Sequence, residues 1–204
     1  MTLETYHSIS KRSGPPGDTV VTTFNLYNLF GEGRDVTVRI GGEWLRPSVS
    51  TQLAKLSLAI RYELELPHIL AVQEVGSEAV LQRLGDVVNA AAGTAYRAIS
   101  PSTSDRRGIQ IGFLCDERRV EVVRAYQLGG TAVAAAFGRQ SPNPGREPLV
   151  GEFRVNGRAL TIVNNHFKSN YIPEEFTAET QQRLAVNLAQ RTAQARVVRD
   201  FANS

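Results

Sequence analysis

One cysteine in 204 residues leaves Cys115 without an internal partner, so no disulfide can staple this chain. Cys115 itself lies in the apolar run IQIGFLC, where a thiol serves as packing. Long hydrophobic runs are also missing. No stretch approaches the roughly 18 to 20 apolar residues of a membrane helix, and the opening MTLETYHSISKRSGPPGD lacks the apolar core of a signal peptide. The chain therefore reads as soluble, with its compartment open between cytoplasmic and secreted bacterial. Repeats and low-complexity tracts are absent. So is a strong excess of charge: 23 basic against 20 acidic residues give a formal +3 and a pI near 9.2, which permits an anionic partner without arguing for one. What remains is an ordinary globular composition, 42% hydrophobic and 21% charged, long enough for one domain with a sizeable core.

Residues 1–18 combine chain breakers with no periodicity and read as a flexible arm, with the domain expected over 19–204. From Thr19 the chain alternates strands with helices. A β-branched run over 19–26 precedes a helical pattern over 49–64, in which Val49, Leu53, Leu56, Ile60 and Leu64 recur at spacings of three and four behind Ser48 or Ser50 as cap. Pro67 stops that helix and starts a strand over 68–74. A second helix is expected over 77–92, capped by Ser77 and closed by Gly93. Strands follow near 95–100, 108–115 and 119–128, then the loop GRQSPNPGREP and a hairpin turning at Asn156-Gly157. The final segment, 174–201, is helical in character, with Leu184, Leu188 and Val198 as its apolar residues and Arg and Gln between them. This alternation points to a layered sandwich of sheets and helices.

Three strands end in polar groups. TIVNNHFKSN, residues 161–170, delivers Asn165, His166, Lys168 and Ser169 at its carboxyl end; HILAVQEV breaks at Gln73 and Glu74; TVVTTFNLYNLF breaks at Asn25 and Asn28. Glu74 is the one carboxylate embedded in an apolar strand, and a buried carboxylate needs a metal or a basic partner. One or two carboxylates with water and substrate oxygens suffice for magnesium, and His166 with Asn25 can orient a scissile phosphate, its leaving oxygen or an attacking water. Plainer readings stand beside these. Asn25 also fits a turn, Glu74 an arginine pair, His166 a satisfied core histidine and Lys168 a solvated loop. Asn28 reads as a turn residue, Arg107 as a surface residue of the SDRRG turn, and Trp44 and Tyr27 as local packing.

The order FNLYNLF, LAVQEV, DRRGIQIGFL, REPLVGEF and VNNHFKS resembles the endonuclease/exonuclease/phosphatase family with the deoxyribonuclease I-like fold. The resemblance runs from about Thr19 to the end and implies an α+β, four-layer α/β/β/α sandwich. It makes Asn25 the first-strand asparagine beside metal and phosphate, Glu74 the magnesium ligand, and His166 the histidine that contacts the scissile phosphate and assists the leaving group. Lys168 and Ser169 complete a His-x-Lys-Ser form, with Lys168 and Asn165 as substrate contacts. Arg107 and Gly108 match the turn before the middle strand, and Arg146, Glu147 and Pro148 open a later one. The implied cofactor is Mg2+, with Mn2+ or Ca2+ as alternatives, and the implied substrate is a phosphate ester, first a nucleic-acid phosphodiester and otherwise a phosphomonoester or lipid phosphodiester. Two departures stand out. His68 occupies a strand start where aspartate is usual, and neither a Gly-Asp-x-Asn strand end nor a Ser-Asp-His occurs. The chain therefore resembles the amino-terminal two thirds of such a domain, incomplete at its carboxyl end. The expectations are weak metal binding, little activity in isolation, and an exposed sheet edge around Leu160 to Val163 open to self-association or a complementing chain. The rival reading is an inactive fragment or degenerate paralogue that serves as a binding or interaction module.

Overall fold

The structure, a computed structural model, describes residues 18–33, 38–40, 43–45, 47–141, 143–169 and 175–204. The expected amino-terminal arm lies outside them except for Asp18, as does the side chain of Trp44. In chain order the elements are β1 (Val21–Leu29), β2 (Val38–Ile40), β3 (Glu43–Leu45), α1 (Val49–Leu58) running into a π-helical turn (Ala59–Glu63), β4 (Ile69–Val75), α2 (Glu78–Ala92), β5 (Tyr96–Ile99), β6 (Gln110–Asp116), β7 (Glu121–Gln127), α3 (Thr131–Ala136), β8 (Leu149–Val155), β9 (Arg158–Asn164) and α4 (Ala178–Ala202). One sheet has the order β1-β4-β6-β5, with β1 and β4 parallel and the other neighbours antiparallel. The second is the antiparallel meander β7-β8-β9. Among the described residues the strands β2 and β3 pair only with each other.

Local chemistry sets these boundaries where the sequence predicts them. The Ser48 hydroxyl accepts from the Thr51 N–H to start α1, and the Ser77 hydroxyl accepts from the Val80 N–H to start α2. Gly93 ends α2 in the left-handed region at φ 65°. Asn156 and Gly157 both take positive φ, the geometry of a tight turn between two right-twisted strands. Three elements were not expected. The β2–β3 hairpin has strands too short to show alternation, the π-helical turn keeps a helical pattern, and TAVAAA in α3 carries too few large side chains to show a period.

Alternation along β4 builds the four layers. Leu70, Val72 and Val75 face Leu53, Ile60 and Leu64 of the first helical segment and Leu81, Leu84 and Val88 of α2. Ile69 and Ala71 point the other way, with Ile111, Phe113 and Cys115 of β6, onto Leu149, Phe153 and Val155 of β8. Phe113 and Phe153 meet edge to face at 5.4 Å, and a Cβ at Gly151 would lie 2.3 Å from the Phe153 ring, so glycine there makes room for the pair. Burial pushes the Cys115 thiol up to about 12, as befits a packing residue. Beyond the second sheet, Val133 and Phe137 pack on Val150, with Val163, Val197 and Phe201 at their margin. The mixed α+β sandwich agrees with the expected architecture. Strand β9 ends its sheet, so among the described residues its outer edge pairs with no other strand.

One reading of side-chain placement is corrected. Tyr27 is not packed but 55% exposed, and Leu188 of α4 is 58% exposed while Asn187, Gln190 and Gln194 are buried. The side of α4 that faces the protein is polar at Asn187, Gln190 and Gln194 and then apolar, with Val197, Val198 and Phe201 packed against the Val133 and Phe137 cluster.

A polar pin joins the two sheets. The Asn164 side chain donates to the carbonyls of Val72 (2.9 Å) and Gly112 (2.8 Å), and its Oδ1 accepts from Gln73 Nε2 at 2.8 Å. All of this is buried, so Asn164→Leu removes three buried hydrogen bonds at once. It is expected to lower unfolding free energy by at least about 2 kcal/mol in urea titration. A change below about 0.5 kcal/mol would mean that water replaces the pin.

Candidate active site

The backbone of β4 is irregular at one residue. Glu74 has φ 62°, and pairing to β6 shifts from Gln73↔Ile111 to Val75↔Gln110, so Glu74 is an extra residue bulged out of the ladder. Regular alternation would send Glu74 towards the helices with Leu70 and Val72. The bulge instead lets Val75 occupy that apolar position and re-aims the carboxylate to the strand end. A left-handed conformation at a non-glycine residue costs about 1–3 kcal/mol and persists only where its surroundings enforce it. The facing part of β1 is irregular as well: Asn25↔Gln73 is followed by Leu29↔Val75, with Tyr27 and Asn28 at φ 55° and 59°. Asn25 Oδ1 accepts from the Tyr27 N–H at 2.8 Å, an Asx turn that bends the strand end.

These irregularities bring three strand ends together. His166 Nε2 lies 3.3 Å from Glu74 Oε1, with side-chain exposures of 22% and 20%. The hydrogen bond from His166 holds the Glu74 carboxyl below its ordinary range against the opposing effect of burial. The Asn25 side chain, the His166 charge and the Asn28 backbone add to the lowering. Glu74 is thus an anion at neutral pH with three donors around it. Asn25, Glu74 and His166 come from strands far apart in sequence, tied together just beneath them by the Thr23–Gln73 and Gln73–Asn164 bonds, which span 50 and 91 residues.

A second polar assembly holds the segment that carries His166. Arg146 Nη1 donates to Asp105 Oδ2 at 2.7 Å, and its Nη2 donates to the carbonyls of His166 (3.0 Å) and Phe167 (3.1 Å). Asp105 also accepts from the backbone and side chain of Arg107. Burial would raise the Asp105 carboxyl, but Arg107 and Arg146 together bring it below its ordinary value. Burial lowers Arg146 while Asp105 opposes the shift. Lys168, half-buried beyond His166, is lowered by burial and then by the charges of Arg107, Arg146 and Arg183. Its backbone N–H donates to Gln194 Oε1 of α4 at 2.8 Å.

Together these groups line a cleft of about 610 Å³, with Glu74 and His166 at its wall and Arg107, Lys168 and Arg183 facing the same space. Asn25 reaches it only through Glu74. Asn165 does not line it: its Nδ2 turns back to the Val163 carbonyl, and its Oδ1 is buried without a hydrogen-bond partner. Sequence reasoning passed over Asp105, Asn164 and the polar face of α4. A signal existed for Asn164, because the Asn156-Gly157 turn fixes the register and puts Leu160, Ile162, Asn164 and then His166 on one parity. His68 serves strand architecture, accepting from the Val20 N–H at 3.1 Å.

The donor set suits a hard divalent ion. Carboxylate and amide oxygens are present and thiolates are not, and among the described residues no group of three or more His, Cys, Asp or Glu gathers anywhere. A cation at Glu74 would then take most of its ligands from water and substrate, the habit of magnesium more than of calcium. Among the described residues no helix is long and apolar enough to cross a membrane.

Neither a protein-family model nor a curated protein matches the sequence. Solved structures do. Humanized D. rerio TDP2 carrying 14 mutations aligns at 17% identity with a TM-score of 0.51, over 88% of this chain and 54% of that one. D. rerio TDP2 complexed with single strand DNA product aligns at 16% identity and 0.51, over 91% and 55%. The chain thus spans about half the length of these structures. Architecture and alignment agree that it has the deoxyribonuclease I-like fold of the endonuclease/exonuclease/phosphatase proteins.

Proposed function

We propose that this chain provides the metal-holding and phosphate-holding side of a site that hydrolyses phosphate esters, with a nucleic-acid phosphodiester as substrate. The observation that carries the reading is the convergence of three strand ends, with His166 Nε2 3.3 Å from a bulged Glu74 carboxylate at the wall of a basic cleft. Glu74, with Asn25 beside it, would hold Mg2+, or Mn2+ in its place. When bound, such an ion polarises a phosphoryl oxygen and stabilises the leaving oxygen. Asn25 and the Asn28 N–H keep the carboxylate aimed. His166 is positioned by Glu74 on one side and by the Arg146 grip on its carbonyl on the other, so its imidazole can contact the scissile phosphate and pass a proton to the departing oxygen. Lys168 supplies positive charge for a non-bridging oxygen. The nucleic-acid substrate is supported by the D. rerio TDP2 structure with single strand DNA product.

The test is magnesium-dependent cleavage of a single-stranded DNA oligonucleotide, set against a phosphomonoester, by the full-length gene product. Expected are cleavage abolished by chelator and a drop of about 100-fold in Glu74→Gln. Magnesium-dependent turnover of the phosphomonoester alone would reassign the substrate. Binding of DNA without any cleavage would favour the rival reading, a phosphate-binding module.

A further inference from the structure

Tyr27 combines a strained backbone with an exposed ring. It takes φ 55° and is followed by Asn28 at 59°. Asparagine enters the left-handed region readily because its short side chain bonds locally, but a bulky aromatic residue there is an outlier. Packing gives nothing back. Leu26, Leu29 and Phe30 beside it are buried, while Tyr27 is 55% exposed, so its ring stands alone rather than within an apolar patch of the kind that docks a protein. Among the described residues the ring meets no other aromatic ring and no cation, and its hydroxyl makes no hydrogen bond. Tyr62, also exposed, differs in carrying the Arg61 guanidinium 4.8 Å over its ring.

The site is what enforces the strain. The Tyr27 N–H donates to Asn25 Oδ1 at 2.8 Å, and the peptide that follows Tyr27 presents the Asn28 N–H to the Glu74 carboxylate, which the Asn25 side chain also reaches. Tyr27 is therefore one planar peptide away from the group that bonds Glu74. It lies on the other side of Glu74 from the basic residues. The order β1-β4-β6 puts β1 and β6 on opposite flanks of β4, and Val75 pairs with Gln110, so the turn carrying Arg106 and Arg107 meets this end of β4 from the β6 flank. Neighbouring strands lie about 4.8 Å apart, which separates β1 from β6 by roughly 10 Å with Glu74 between them. Accordingly Arg106, Arg107, Lys168 and Arg183 line the cleft and Tyr27 does not.

We infer that the Tyr27 ring is a stacking platform for an unpaired nucleobase beside the phosphate held at His166. This rests on the proposed function for the site of that phosphate. A strand that crosses Glu74 leaves the basic cleft on the β1 flank, where it meets this ring. Every nucleobase has a flat π-face, so one isolated ring binds it without reading sequence. In a duplex the faces of each base are already covered by its neighbours, and the platform therefore selects single-stranded segments and splayed ends.

Affinities measured with chelator present, so that nothing turns over, test this in the intact chain. The probes are a thymidine tetranucleotide, its abasic counterpart with the same phosphates and no bases, and a blunt duplex. Tyr27→Asn, which suits the left-handed backbone, is expected to weaken the tetranucleotide about tenfold and to leave the abasic oligomer and the duplex unchanged. Unchanged binding of the abasic oligomer also shows that the variant is folded. Tyr27→Phe keeps the ring and should bind all three as the parent does. His166→Ala should weaken both oligomers, since each carries the phosphate. If it weakens neither, the proposed function fails, whereas a response to His166→Ala with none to Tyr27→Asn overturns only the platform. Equal losses for the two oligomers in Tyr27→Asn overturn it as well, because the residue then acts on the phosphate, on Glu74 or on folding and not on a base. A loss in Tyr27→Phe as large as in Tyr27→Asn does the same, since the hydroxyl and not the ring would then bind, and an equal loss for the duplex overturns the choice of an unpaired base.

Discussion

Asp105→Ala is expected to lower unfolding free energy by about 3–5 kcal/mol, because it leaves the Arg146 guanidinium buried without its counter-charge. Arg146 and Asp105 are 8% and 4% exposed in their side chains, and no other carboxylate is within ion-pair distance of Arg146 among the described residues. For a domain of this size the loss corresponds to a Tm lower by about 10 °C. The pair joins the 105 turn, the 146 loop and the carbonyls of His166 and Phe167, so its loss should also loosen the histidine. Pairing Asp105→Ala with Arg146→Met should recover much of the stability, since an apolar replacement removes the stranded charge. If Asp105→Ala costs less than about 1 kcal/mol, water reaches the guanidinium and the clamp is not structural.

The same pair gives a pH signature whose sign follows from the direction of the shift. The Asp105 carboxyl is lower in the fold than in the unfolded chain, so its contribution is complete above the unfolded value, about 3.9, and fades as pH falls through the folded one. The stability gap between the parent and Asp105→Asn should be flat above about pH 5 and narrow below about pH 4. The Glu74 carboxyl is also lowered and fades over the same acid range. A Glu74→Gln background therefore isolates Asp105.

What the sequence made legible follows the rules that act locally. Ser48, Ser77, Gly93 and the Asn156-Gly157 turn each state a boundary, and β4 and β6 are apolar enough to be central. Asn25, Glu74 and His166 stand out in the sequence because polar residues interrupt apolar strands at their ends. The less legible features depend on register and on strands that meet only in three dimensions. Nothing in VQEV states that Glu74 is bulged, since that depends on pairing with both β1 and β6. Of two adjacent asparagines, Asn164 enters the core and Asn165 does not, and a slip of one residue would exchange them. On α4 the apolar residues do not mark one face, since Val198 is packed and Leu188 is exposed. At Asn187, Gln190 and Gln194 the inner face borders a cleft rather than a core, and there Gln194 and Gln190 are held by loop backbone that the sequence pattern does not reveal.

His166→Ala is expected to slow magnesium-supported cleavage of single-stranded DNA by about 10²–10⁴-fold, the range over which a positioned acid or base contributes. Stability should change by less than about 1 kcal/mol, because the Glu74–His166 pair is partly solvated and such pairs contribute little to folding. His166→Gln separates two roles that alanine removes together. The glutamine amide can still donate to Glu74 and keep the carboxylate aimed, but it cannot deliver a proton to a leaving oxygen. If proton transfer is the contribution of His166, Gln and Ala should be about equally slow while Gln retains the magnesium dependence of the parent. If orientation of Glu74 is the contribution, Gln should recover most of the rate, and the losses from His166→Ala and Glu74→Gln should overlap rather than multiply when combined, as expected for two residues acting as one unit. A loss under about tenfold in His166→Ala would place the chemistry elsewhere in the cleft, since no positioned acid or base contributes so little.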